Sequence, residues 1–347
     1  MKVALLFDGI SALGASADQI IVETVEAVEQ VLREDGDEVV RIAVTLDGRW
    51  IERVRRGKFD LAFNLCEGID GVAAFEPSVI AVLELLGVPY TGSSSWTTAL
   101  CLQKHLVNGM LAASGLPVPR WGVVRRGGPL PTIGFPAICK PAAEDASIGI
   151  EQRSVVRSMR ALAERVDAMH ERWDEILVQR FIAGREVNVG IVGETVLPIS
   201  EIRFDGLPRG MWRIVSYRSK WETGSDEDLG AVPQCPAELD EPLAAEIERI
   251  ALAAWRAVGG EGYGRVDMRI DRTGRPWILE VNANPDLASD AGLARMSRIA
   301  ERDYADLVRE ICRLGLLPTG NATSTATRWA LAQSLSGLQH LTGTDPN

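Results

Sequence analysis

The runs GRVDMRID at 264–271 and PWILEVNANP at 276–285 put Asp267 on one short segment and Glu280 with Asn282 on the next. A β-strand sends successive side chains to opposite faces, so Val266, Met268 and Ile270 share one face while Arg265, Asp267 and Arg269 share the other. In the second run Trp277, Leu279 and Val281 point one way and Ile278, Glu280 and Asn282 the other. Residues 272–275, with Gly274 among them, read as the hairpin loop between the two. With Asp271 paired to Pro276 across that loop, Asp267 falls opposite Glu280 and Arg265 opposite Asn282. Like charges directly opposed destabilise a sheet, so facing carboxylates call for something between them. A hard cation suits: magnesium takes oxygen ligands, keeps several waters, and sits on one or two carboxylates plus the phosphates of a substrate. That chemistry points to a nucleotide. The plainer alternative is a solvent-facing hairpin whose charges are hydrated.

Two further stretches bear on the choice. In FPAICKPAAEDASIGI, at 135–150, Lys140 ends a short strand and small residues at 142–149 follow. Small residues let a backbone approach a phosphate with its N–H groups, and a lysine at the strand end supplies a point charge for the same anion. The alternative is an exposed loop beside a snorkelling lysine. In LVQRFIAGREVNVGIVG, at 177–193, a strand over 178–182, a tight turn at Ala183-Gly184 and a returning strand over 185–192 place Glu186 and Asn188 opposite Val187 and Val189. A purine can bond to strand backbone near such a turn, with Glu186 accepting from ribose hydroxyls. Otherwise Glu186 is a cross-strand partner of Arg180 or Arg185.

The elements that must position these residues fall into blocks. Up to about residue 95, strands over 3–7, 39–44 and 61–65 alternate with helices over 18–33, 50–56 and 77–86, a series that predicts a mainly parallel sheet. Its Gly-rich turn at 9–14 fails both the P-loop and the dinucleotide patterns. Next come a helix over 98–113, a strand over 137–139 and a helix over 155–171. Beyond the 177–193 stretch follow a polar flap around YRSKWETGSDEDLG, a helix over 240–258 and the hairpin. After Pro318 the chain is rich in Thr, Ser and Gly, with a short amphipathic helix over 329–341. The 347 residues, 46% of them hydrophobic, are enough for two or three domains. A net charge of −11 with no basic block argues against nucleic acid and anionic membranes as partners. Five scattered cysteines suit a reducing cytoplasm, and no apolar run approaches membrane length. The cysteines and the three histidines, His105, His170 and His340, form no readable nucleophile–base pair.

Taken in order, Lys104 in LQKHL, Lys140 in ICKPAAEDASIG, QRFIAGRE at 179–186, Lys220 in SKWETGS, Pro236-Ala237-Glu238, GRVDMRID and LEVNANP resemble the ATP-grasp superfamily, and within it the D-alanine–D-alanine ligase family, over residues 1 to about 316. The resemblance implies an α/β protein: a parallel, Rossmann-like N-terminal domain (1–96), a small central lid (97–176), a C-terminal catalytic subdomain with an antiparallel sheet (177–318) and a flexible tail (319–347). It implies that Lys104 and Lys140 contact ATP phosphates, that Gln179, Arg180 and Phe181 hold the adenine through their backbone, and that Glu186 holds the ribose. Lys220 would reach the phosphates from the flap. Asp267, Glu280 and Asn282 would hold two magnesium ions, with manganese as a substitute. Arg265 would sit on the oxyanion, and Ser147 would orient substrate. The implied reaction joins a small carboxylate to an amine through an acyl phosphate, in a cytoplasmic homodimer.

The departures lie at the amino-acid end. Where family members carry an acidic residue for the substrate ammonium, residues 11–16 read SALGAS. The family's His-Gly element is here Cys66-Glu67-Gly68. Ala146 precedes Ser147 where two serines are usual, Trp221 follows Lys220 in place of tyrosine, and Pro285-Asp286 replaces Pro-Gly. An unpaired buried ammonium is costly, so the expectation is an ATP-dependent ligase whose first substrate is not plain D-alanine. The alternatives are a true D-alanine–D-alanine ligase with a compensated pocket, and a nucleotide-binding protein without ligase activity. Glu67, Asp286 and Asp290 are the acids that could replace the missing charge.

Overall fold

The computed structural model describes residues 1–9 and 15–317. The rest of the turn at 9–14, the tail 319–347 and its expected helix lie outside the described residues.

The chain opens with β1 (Lys2–Asp8), α1 (Ala15–Glu34), β2 (Glu38–Val44), α2 (Arg49–Gly57), β3 (Leu61–Asn64) and α3 (Glu76–Leu86). The three strands form a parallel sheet in the order β2-β1-β3. A parallel sheet is covered on both faces, which is why VALLF is apolar without alternation. Val3 and Leu5 pack with Val25, Val28 and Leu32 of α1, while Ala4 and Leu6 face Trp50, Val54, Val79 and Leu83 of α2 and α3.

The single helix expected over 98–113 is two helices, α4 (Ser95–Leu102) and α5 (Lys104–Ala113). Gln103 leaves the helical region, at φ −91° and ψ 76°, so Lys104 becomes the first residue of α5. Its amide donates to the Ala142 carbonyl at 3.1 Å instead of continuing the helix. A cation in a first turn opposes the helix dipole, a placement that serves anion binding better than helix stability.

The next sheet, in the order β4-β7-β5-β6 and antiparallel throughout, comprises β4 (Trp121–Arg125), β5 (Ala137–Pro141), β6 (Val155–Val156) and β7 (Glu175–Arg180), with α6 (Met159–Met169) on one face. The helix expected over 155–171 thus starts late. β-branched Val155 and Val156 pair with Ile138 and Ala137, and Ser158 caps α6 by accepting from the Ala161 amide at 3.2 Å.

The remaining elements are β8 (Gly184–Val192), β9 (Thr195–Val196), β10 (Ser200–Arg203), α7 (Tyr217–Trp221), α8 (Asp226–Gly230), β11 (Val232–Gln234), α9 (Glu241–Ala257), β12 (Tyr263–Asp271), β13 (Pro276–Asn282), α10 (Gly292–Ile299) and α11 (Tyr304–Gly315). An antiparallel sheet runs β11-β10-β8-β12-β13, with β9 beside β8. Val187, Val189, Ile191, Val266, Met268 and Ile270 send one face of it onto α9 through Ile247, Ile250, Ala254 and Trp255.

Three further features differ from the sequence reading. β7 and β8 are not a hairpin: β7 pairs with β4 and β5, β8 with β10 and β12, and residues 181–183 cross from one sheet to the other. Gly184 opens β8 because a Cβ there would lie 1.9 Å from the Ile270 carbonyl oxygen. The strand Glu175–Arg180 runs across the expected boundary at 176 and pairs along its length with β4 and β5. α4 and α5 pack through Leu100, Val107 and Leu111 on the sheet of β8, β12 and β13, with Gly109 of α5 also beside Trp121 of β4, while α10 and α11 return through Met296, Leu307 and Ile311 to the sheet of β1 and β3. The five cysteines are unpaired. No helix among the described residues is long and apolar enough to cross a membrane.

Candidate active site

β12 and β13 meet in the expected register at their chemical ends, Arg265 opposite Asn282 and Asp267 opposite Glu280. Beyond that point the ladder slips by one residue: Met268 pairs with Ile278 and Ile270, not Asp271, with Pro276. Leu279 is the extra residue of a bulge. Ile278 therefore turns into the core with Val281, where strict alternation had placed it beside Glu280. The bulge leaves Glu280 and Asn282 on the face of Asp267.

Asp267 is saturated with donors. Arg265 reaches Oδ1 through Nε at 2.7 Å and Oδ2 through Nη2 at 2.8 Å, Asn188 Nδ2 reaches Oδ1 at 2.7 Å, and Asn282 Nδ2 reaches Oδ2 at 3.1 Å. Burial works against the Arg265 charge, but Asp267 and Glu280 raise its pKa above the usual arginine range. Glu280 is the focus of positive charge. Burial alone would push its carboxyl up, yet Lys104, Lys140, Arg265 and Lys220 hold it down to about 2.

Each of those lysines comes from a different element. Lys104, at the head of α5 and only 5% exposed, has its Nζ 2.5 Å from Asp145 Oδ1 and 3.7 Å from Glu280 Oε2. Burial lowers its pKa, and Asp145 with Glu280 more than reverses that. Lys140, at the end of β5, is buried and not snorkelling. Burial pulls its pKa below the lysine norm, Glu280 partly restoring it. Lys220 comes in on α7. The flap is anchored beneath it, with Glu227 buried and accepting from Ser216 Oγ at 2.6 Å and Gln152 Nε2 at 3.0 Å. Trp221 donates its indole N–H to the Ala146 carbonyl at 3.0 Å, a link between flap and loop that needs no hydroxyl at 146. Ser147 follows in left-handed backbone, φ 60°.

At the other end of the site, Ile176 and Val178 are in the core between α6 and the β4-β7-β5-β6 sheet, so Gln179 shares the opposite face with Lys140. Gln179 is 1% exposed, and its Nε2 donor has no partner among the described residues. The backbone N–H groups of Arg180 and Phe181 are bonded to Arg120 and Pro136, leaving their carbonyls as the groups free of those bonds. Glu186 pairs with neither Arg180 nor Arg185. Its Oε2 takes Arg269 Nη2 at 2.7 Å and Nε at 3.0 Å, while Arg185 grips Glu201. Burial raises the Glu186 pKa against the pull of Arg269. Arg269 also donates to the Ile182 carbonyl at 2.7 Å and to the Arg213 carbonyl, and stacks 4.8 Å from the Phe181 ring.

The segment from β3 to α3 is tied in by Asn284. Its Nδ2 donates to the Cys66 carbonyl at 2.9 Å and to Glu76 Oε1 at 3.0 Å, and its Oδ1 accepts from Tyr263 O–H at 2.7 Å. Next to Cys66, Glu67 keeps contact with solvent, yet the surrounding protein and the charge of Asp286 hold its carboxyl up at about 7, against Lys220 and Arg265. Asn284, Glu76, Tyr263, Asp145 and Arg269 escaped the sequence reading as site residues. The Asn-Ala-Asn spacing after Glu280 was the one available signal for Asn284; nothing local marked the others.

Among the described residues no group of three or more His, Cys, Asp or Glu encloses a metal. Two opposed carboxylates and an amide are an incomplete oxygen set, which fits a hard cation that completes its shell with phosphate and water.

Residues 110–313 match the family model described as D-ala D-ala ligase C-terminus. The D-alanine–D-alanine ligase of Geobacter sulfurreducens is 32% identical over 319 residues, 89% of this chain and 92% of that protein. An uncharacterized protein of Sinorhizobium fredii, y4sG, is 30% identical over 303 residues, 86% of each. The crystal structure of D-alanine–D-alanine ligase from Bacillus anthracis complexed with ATP superposes with a TM-score of 0.73 at 22% identity, covering 91% of this chain and 97% of that one.

Proposed function

The chain belongs to the D-alanine–D-alanine ligase family and is an ATP-dependent ligase, and we propose that it joins a carboxylate other than plain D-alanine to an amine, with Asp267, Glu280 and Asn282 as the metal-binding set. The observation that carries the chemistry is the convergence of Lys104, Lys140, Lys220 and Arg265 on Glu280, opposite Asp267. Such a site suits transfer of a highly charged phosphoryl group, where positioning and charge neutralisation do most of the work.

Lys104 and Lys140 bind phosphate oxygens from the floor of the site, and Lys220 closes on them from the flap. The backbone of Gln179–Phe181 receives the base, whose edge also meets the orphan Gln179 amide, and Glu186, held by Arg269, takes the ribose. Asp267, Glu280 and Asn282 would hold magnesium, which would supply charge neutralisation for the transferring phosphoryl group. The substrate carboxylate oxygen attacks the γ-phosphorus and ADP leaves. The amine then adds to the acyl carbon, and Arg265 stabilises the oxyanion until phosphate departs and the amide forms. Ser147 orients the acceptor. Two ions and a homodimer are the family expectation and are retained in the proposal.

The rewritten acid end supports the substrate part of this reading: Glu67 stands where the family has histidine, with Asp286 close enough to raise its pKa. Relatives at 31–33% identity that carry the name D-alanine–D-alanine ligase favour the second reading, a true D-alanine ligase. The deciding experiment incubates the protein with magnesium-ATP and a panel of amino acids of both configurations, hydroxy acids, dipeptides and amines, and reads products by mass. A condensation product containing an acid other than D-alanine is expected. D-alanyl-D-alanine as the preferred product, or growth of a strain lacking its own D-alanine ligase, would overturn the substrate assignment.

A further inference from the structure

The loop between β5 and β6 holds an acid in front of the lysine it serves. Asp145 Oδ1 lies 2.5 Å from Lys104 Nζ, and the other anion paired with that ammonium among the described residues is Glu280, at 3.7 Å. The lysine is nearly dry at 5% exposed, while Asp145 is 37% exposed. Three consecutive loop residues are each tethered: Glu144 accepts from Trp173 Nε1 at 3.0 Å, Asp145 takes Lys104, and the Ala146 carbonyl accepts from Trp221 Nε1 at 3.0 Å. Ala146 and Ser147 then hold φ of 53° and 60°, a left-handed pair that residues with a Cβ adopt only when their surroundings impose it. The carboxylate is thus held in place against Lys104.

We propose that Asp145 makes nucleotide binding conditional on the divalent cation, by occupying in front of Lys104 the position a phosphate oxygen must take. The inference rests on the ATP-dependent reading of this site. Metal-free ATP would bring four negative charges against a fixed carboxylate, with Glu280 ionised behind it, and both anions would compete for one ammonium. Metal-loaded ATP carries half that charge and brings a cation toward which the displaced carboxylate can turn. Asp145 thus selects the loaded form of the nucleotide without reading the base or the sugar.

The test is calorimetric titration of the full chain and its Asp145→Asn variant with three probes: ATP in excess chelator, magnesium-ATP, and inorganic tripolyphosphate in excess chelator. Asparagine keeps an oxygen acceptor for Lys104 and removes the charge. The variant is expected to bind metal-free ATP and tripolyphosphate about tenfold or more tighter, the size of effect one nearby unit charge produces at such a site, with a much smaller change for magnesium-ATP. Unchanged or weaker metal-free binding would overturn the proposal. So would a loss confined to magnesium-ATP, which would make Asp145 a metal ligand. If the wild type ignored magnesium-ATP while the variant gained tripolyphosphate, the ligase reading would fall and the metal-dependent gate with it, leaving Asp145 only as a charge that keeps anions from Lys104. Normal magnesium-ATP binding without that gain would leave the ligase reading and remove the gate.

Discussion

Arg265 grips Asp267 two residues along its own strand, Nε on one carboxylate oxygen at 2.7 Å and Nη2 on the other at 2.8 Å. A guanidinium assigned to the oxyanion is thus docked on a carboxylate assigned to the metal. Cation binding at Asp267 would compete with that pairing and release Arg265 toward the acyl carbon. Arg265→Ala is expected to lower turnover by about two to three orders of magnitude, the usual cost of one oxyanion donor, with magnesium-ATP affinity at or above that of the wild type because the competing guanidinium is gone. Steady-state rates set beside calorimetric binding check both halves; full activity in the variant would remove Arg265 from the chemistry.

Asp267→Ala and Glu280→Ala should raise the magnesium concentration needed for half-maximal turnover, because each removes one of the two carboxylates from an already incomplete oxygen set. Asn282→Ala should do so more weakly, since a neutral amide contributes less to a hard cation. A magnesium titration at fixed ATP ranks the three, and equal curves for all of them would refute the metal assignment.

Asn284 presents two donors and one acceptor to three fixed partners in opposite senses. Asn284→Ala should destabilise the protein by about 1–3 kcal/mol, the usual cost of leaving buried polar groups unsatisfied. Asn284→Asp should cost more at neutral pH, because it sets a carboxylate against Glu76 and the Cys66 carbonyl. Denaturant unfolding of both variants gives the comparison, and an aspartate variant as stable as the wild type would contradict the assigned contacts.

Burial holds the Glu76 pKa well above that of a free glutamate, with Asp145 adding to the shift and Asn284 opposing it. A carboxyl whose folded pKa is raised contributes stability that is complete below its unfolded pKa and is lost as pH climbs through the folded value. Glu76→Gln keeps the acceptor for Asn284 and removes the titration. The loss of melting temperature between pH 5 and pH 8 should therefore be smaller in the variant; an unchanged slope would show that Glu76 does not titrate there.

Glu67, held at about 7, changes charge within the physiological range. If its carboxylate receives a cationic amine, the apparent affinity for that amine should rise with pH through an inflection near 7. Glu67→Gln should abolish the inflection, and its survival in the variant would assign the titration to another group.

The sequence carried the site pairs because alternation of charged and apolar residues sets which face a strand shows, and Asp267, Glu280, Arg265 and Asn282 obey it. Leu279 was invisible as a bulge: it is apolar like its neighbours, and only the pairing partner reveals an extra residue. The crossing at 181–183 read as a hairpin because two apolar runs joined by Ala-Gly carry no record of which sheet each joins. The break at Gln103 was hidden by a residue with ordinary helix propensity, its cause lying in the distant Ala142 carbonyl. Partners such as Asn284 and Cys66, 218 residues apart, have no local signature at all.

The tethers on either side of Asp145 have an optical consequence. Both are indole N–H groups, Trp173 on Glu144 and Trp221 on Ala146, so the loop that carries Asp145 is flanked by its own fluorophores. Indole emission shifts with the polarity around its N–H, and release of either bond would register as a change in intensity or colour. Nine tryptophans contribute to the total signal, but Trp173→Phe and Trp221→Phe would separate the two reporters. Stopped-flow mixing could then time the Glu144 side and the Ala146 side independently, without a label and before any substrate acid is known.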